Sequence, residues 1–121
     1  MVGTVQKPSI LVDMKKCRIR IHRHTLHALG DPEFVMLIIN PEEHTLGIQC
    51  STLDDKSAHR VHKSNVKKKD CYELYSKSLI AALHRLCPEW NDKGSYKIEG
   101  TVLAYYDMAV FSMKDFSVLG S

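Results

Sequence analysis

The residues of this 121-residue chain best suited to chemistry are the cations and histidines of Cys17-Arg-Ile-Arg-Ile-His-Arg-His-Thr-Leu-His-Ala-Leu-Gly30. Arg18, Arg20 and His22 alternate with Ile19 and Ile21. A pleated strand sends successive side chains to opposite faces, so this stretch has one apolar side and one cationic side. Two arginines on one strand face can hold phosphates or read a base edge. Lys15 and Lys16 lead into the strand and Arg23 follows it. A second basic block holds Arg60, Lys63, Lys67, Lys68 and Lys69. Residues 1–30 carry six Lys or Arg against Asp13 alone, and residues 56–77 carry seven against Asp70 and Glu73. The rest has four against eleven acids, so the net +3 hides two basic blocks on an acidic body. Such blocks attract anions, duplex DNA among them, or an acidic protein partner. The plain alternative is a solvated strand face whose charge discourages aggregation.

Other chemistries find less support. His22, His24 and His27 cluster, and His59 and His62 lie three apart. Zinc needs three or four N, S or O ligands, and the chain has neither His-Glu-x-x-His nor Cys-x-x-Cys. Exposed, uncoordinated histidines are the leading reading, with metal binding a third function behind nucleic-acid and protein binding. Cys17, Cys50, Cys71 and Cys87 sit in or beside apolar segments, where free cysteine acts as a small hydrophobe. Cys71 close to Lys69 offers an activated thiol, but a buried strand cysteine is the preferred reading. No dinucleotide fingerprint, phosphate-binding loop or nucleophile elbow occurs. The acid pairs Glu42-Glu43 and Asp54-Asp55 fall in turn-like segments. The reading is a non-enzymatic chain without a cofactor. Tyr105-Tyr106, at an expected hairpin tip, is a candidate protein contact, although core and rim packing is the favoured reading for these as for Tyr72, Tyr75, Trp90 and Tyr96.

These side chains need a scaffold, and the periodicities supply one. Residues 1–8 read as a flexible arm, and Ser9–Asp13 as a short strand opened by Pro8. A basic strand over 16–22 passes to a helix over 24–30 that stops at Gly30, with Pro32 beyond. Phe34–Asn40 is an apolar run expected to be covered on both faces, and Thr45–Cys50 completes a hairpin. Residues 51–70 form a polar connection, with a brief strand at His59–His62 and a mobile loop over Lys63–Asp70. Cys71–Tyr75 reads as a strand. Leu79, Ile80, Leu83 and Leu86 then form a helical stripe capped by Ser76 or Ser78 and ended by Pro88. Tyr96–Leu103 and Ala109–Met113 form a second hairpin, with residues 117–121 frayed.

Residues 16–50 and 71–113 are thus both strand, helix, strand, strand. The expected fold is one α+β domain of two βαββ halves. An internal duplication would close them into one small barrel or layered sheet, since neither half can cover its own hairpin. Arg18, Ile21, Leu29 and Gly30, followed by the hairpin over 34–50, resemble the DNA-contacting module of the AbrB/SpoVT and MazE-type swapped-hairpin regulators. The resemblance spans residues 16–50. Cys17 stands where that family has glycine, His22 where it has proline, and Leu26 is displaced by one position. The resemblance implies DNA contact through the strand bearing Arg18, and a barrel completed by two modules. Glu73 occupies the matching strand of the second half, which implies a scaffold kept and a contact face lost.

No apolar run approaches the roughly 20 residues of a membrane helix, and residues 1–8 lack the pattern of a signal peptide. A cytoplasmic monomer or homodimer, away from membranes, is the expectation.

Overall fold

The computed structural model describes residues 7–119. Arg18–His22 is a strand, β2, and its alternation is the one the sequence dictates: Ile19 and Ile21 are buried in the core. It is preceded by β1 (Ser9–Asp13) and followed by helix α1 (Arg23–Ala28). Then come β3 (Phe34–Asn40), β4 (Thr45–Ser51), the two-residue β5 (His59–Arg60) and helix α2 (Lys63–Lys69). β6 (Cys71–Tyr75), α3 (Lys77–Leu86), β7 (Ser95–Leu103), a 3₁₀ turn (Ala104–Tyr106) and β8 (Met108–Leu119) complete the chain. All eight strands join one antiparallel sheet in the order β5-β3-β4-β8-β7-β1-β2-β6, curled into a half-barrel.

Register explains the burial. Tyr96, Val12, Ile19 and Leu74 lie side by side across β7, β1, β2 and β6, as do Ile98, Ile10, Ile21 and Tyr72. Leu46, Ile48, Ala109 and Phe111 continue the same inner face on β4 and β8, and α3 adds Ile80 and Leu83. Burying aliphatic side chains of this size stabilises the fold by roughly 1.5–3 kcal/mol each. Gly100 is required on this face, because a Cβ there would lie 2.4 Å from the Val110 carbonyl oxygen. Trp90 stacks on Tyr96 at 4.4 Å between ring centres in the core, with the partly buried Phe116 packed edge-on to both.

The local signals mostly act as expected. Ser76 caps α3 by accepting the Leu79 amide, and Gly30 at φ +85° follows α1. Thr25 ties α1 to β1: its Oγ1 accepts from the Ser9 amide and donates to the Ser9 carbonyl.

Four expectations need correction. Lys63–Asp70 is not a mobile loop; residues 63–69 form α2. Val66 is its one buried side chain, Lys has good helix propensity, and basic residues in the last turn suit the helix dipole. Lys16 and Cys17 lie in the turn before β2 rather than in the strand. β3 is not covered on both faces, since Ile38 on its outer side is 37% exposed. Residues 117–119 are strand, because Ser117 and Val118 pair with Lys97 and Tyr96. The arm expected over 1–8 falls, for residues 1–6, outside the described residues, as do residues 120 and 121 of the frayed end.

Candidate functional site

β2 is not an edge strand. It pairs with β1 on one side and β6 on the other, so its outward side chains have neighbours in register. One outward row runs Ser95, Asp13, Arg18, Tyr75, and the next runs Lys97, Leu11, Arg20, Glu73. Neighbouring strands are roughly 4.8 Å apart, so opposite charges in these rows meet directly.

Arg18 sits at the centre of an ion-pair network. Its guanidinium donates to Asp13 at 2.9 Å and to Glu73 at 3.0 Å, and its side chain is only 9% exposed. Glu73 also accepts from Arg20 Nε at 2.8 Å and from Lys69 Nζ at 2.8 Å. The hydrogen bonds from Lys69 and Arg20 hold the Glu73 carboxyl well below the usual carboxylate range, at about 2. Arg18 is therefore not available to an incoming base or phosphate. Asp13 and Glu73 engage the terminal nitrogens of Arg18 inside the protein and its Nε is buried without a partner, so of the expected pair Arg20 is the one that presents free nitrogens outward.

The other cations divide by position. Arg20 remains half exposed, and only its Nε is engaged with Glu73. Lys69 meets it there, from the end of α2. Arg23 reaches Asp70, the residue after α2, at 3.9 Å, and its backbone amide bonds to the Asp70 carbonyl. The two basic blocks of the sequence thus meet across β2 and β6. Lys63, Lys67 and Lys68 are exposed on α2 and have no carboxylate partner among the described residues. Lys15 and Lys16 are exposed at the far end of β2. Arg60 stands apart beside β3, paired with Glu33 and lying over the Phe34 ring.

His22 and His24 lie with ring centres 4.2 Å apart, but the histidines form no group of three ligands among the described residues. His24 Nε2 bonds to the Lys7 carbonyl oxygen, His27 pairs with Asp31, and His84 bonds to the Trp90 carbonyl. Among the described residues no three His, Cys, Asp or Glu side chains are grouped to hold a metal ion. All four cysteines are free, with Cys71 and Cys87 buried. Burial pushes the Cys71 thiol up despite the cations near it, which opposes the activated-thiol reading.

Sequence reasoning missed Lys97. Its outward position follows from the alternation with Tyr96 and Ile98, but its place two strands from Arg20 follows only from register. Glu73 carried a visible signal as one of only two acids, with Asp70, in the basic block over residues 56–77. No protein-family model, curated protein or solved structure matches the chain. Among the described residues no helix is long and apolar enough to cross a membrane.

Proposed function

We propose that this chain is a small, cytoplasmic, non-enzymatic module of the regulator type that binds duplex DNA through the basic surface where β2, β6 and α2 meet. The observation that carries the reading is α2. Lys63, Lys67 and Lys68 are solvent-exposed and without carboxylate partners among the described residues, beside the half-exposed Arg20. Free lysines on a short, rigid element suit phosphate contact, which gives affinity without sequence preference. Arg18 is then a brace that orients Glu73, and through it Arg20 and Lys69. The test is a fluorescence-anisotropy titration with random duplex DNA at low and moderate salt. Binding should weaken with salt, and Lys67→Ala with Lys68→Ala should reduce the log–log salt slope by about 0.9 for each phosphate no longer neutralised. Absence of binding at low salt overturns the reading.

We also propose that the two βαββ halves descend from one duplicated unit related to the swapped-hairpin regulators. Pairing supports it: β2 lies against β6, and β4 against β8. Beyond these, β1 flanks β7 as β5 flanks β3, which extends the correspondence to a fourth strand in each half. Backbone geometry at the two departures from that family agrees. Cys17 adopts φ +50°, the region glycine favours, and His22 has φ −63°, the value a proline ring imposes.

The competing function is a protein-interaction module for an acidic partner. The exposed Tyr105, 91% accessible, and Tyr106 beside it favour this reading. It predicts no DNA binding at low salt, and it predicts loss of the partner on Tyr105→Ala.

A further inference from the structure

On the outward side of β7, β1 and β2 lies a cleft of about 440 Å³. Arg20, Lys69 and Lys97 line it together with His22 and His24, against a single lining carboxylate, Asp70. Leu11 lies between Lys97 and Arg20 in register and provides an apolar floor. Both long side chains can therefore close over it from opposite sides.

The donors here are not all used. Arg20 engages Glu73 through Nε, and its terminal nitrogens have no bond among the described residues. Lys97 has no carboxylate partner among them either. His24 gives its Nε2 hydrogen to the Lys7 carbonyl, so in the neutral ring Nδ1 carries the lone pair; that atom is buried and unpartnered. His22 Nδ1 accepts the His24 amide, and its Nε2 lies 3.5 Å from Asp70. The free terminal nitrogens of a guanidinium and an ammonium are donors for a tetrahedral oxyanion, and His24 Nδ1 becomes a further donor when that ring is protonated.

We propose that this cleft is a seat for a phosphate monoester, with Arg20 and Lys97 as its principal contacts. The group belongs either to a small phosphorylated molecule or to the phosphorylated end of a nucleic-acid strand. The site is distinct from the exposed lysines of α2, and either can fail without the other. Bound phosphate would also act on the histidines. Burial, the neighbouring His24 and Lys97 together hold the His22 imidazole below its ordinary value, with Asp70 opposing them. An anion placed among these groups offsets the repulsion and raises it.

The experiment is an NMR titration of the full chain with inorganic phosphate at constant ionic strength, followed on the His22 and His24 ring signals. Saturable shifts are expected, with a rise in the pH midpoint of His22. Lys97→Ala should weaken the affinity about tenfold, whereas Lys68→Ala should leave it unchanged. Because Lys97 is exposed on the strand surface, its variant tests the seat without disturbing the core. Chloride moving the histidine signals as far as phosphate overturns the proposal, as does an unaltered response in Lys97→Ala. Competition by a 5′-phosphorylated oligonucleotide but not its 5′-hydroxyl twin assigns the phosphate to a strand end. Competition by a mononucleotide alone assigns it to a small molecule. DNA binding that survives while phosphate has no effect overturns the seat and leaves the α2 reading standing.

Discussion

From β7 through β1 and β2 to β6 the outward rows hold Lys97, Arg20, Glu73, Asp13 and Arg18. From β3 through β4 and β8 to β7 the corresponding rows hold Met36, Gln49, Met108 and Leu103, then Ile38, Gly47, Val110 and Thr101. No ionisable group occurs in these two rows. The inner faces of the two regions are alike, aliphatic and closely buried, so the core does not distinguish them. The difference lies outside. One region devotes its outward positions to an ion-pair network that leaves a few cations free, and the other leaves a weakly polar surface. The sheet thus offers two kinds of surface, one suited to anions and one to apolar contact.

The contrast between the two surfaces depends most on Glu73. Glu73→Ala leaves Arg18 buried with Asp13 as its only carboxylate partner, and should destabilise the fold by about 3 kcal/mol, read by urea denaturation. A cost near zero would mean that the network is surface decoration. A smaller effect follows from acid. Glu73 is held at about 2 against an ordinary 4.5, so its contribution is fully present above about pH 4.5 and is lost as pH falls toward 2. Discounted for the half-exposed Lys69 and Arg20, it amounts to on the order of 1–2 kcal/mol. Thermal melts of the wild type and Glu73→Gln between pH 6 and pH 2 should converge as the pH falls. Parallel curves would place the acid sensitivity elsewhere. The smallest effect belongs to the uncharged region. Ile38→Thr should change stability by no more than about 0.5 kcal/mol, because the side chain faces outward; a larger loss would show that this face is covered.

Much of the fold was legible in the chain. The alternation of β2, the Gly30 stop, the Ser76 cap and the stripe on α3 are local signals, and local backbone physics acts on them directly. The element that escaped was α2. Its sequence is polar throughout except for Val66, so no periodicity announced it, and docking of that one valine was a tertiary event. The candidate site was legible only in composition. The basic blocks were visible, and most of their members proved exposed. Arg18 did not, because nothing local to residue 18 encodes a carboxylate 55 positions away.

Residue order along a strand sets which side chains share a face, and that rests on the two-residue repeat alone. The cationic side of β2, the apolar inner face and the strand–helix–strand–strand order were therefore present in the primary structure. Register between strands distant in the chain belongs to the fold as a whole. That register put Glu73 opposite Arg20, joined Asp13 to Arg18, and brought Lys97 beside the same cleft. Charges of this kind are neutralised or left free by their neighbours in space, and those neighbours exist only once the sheet has formed.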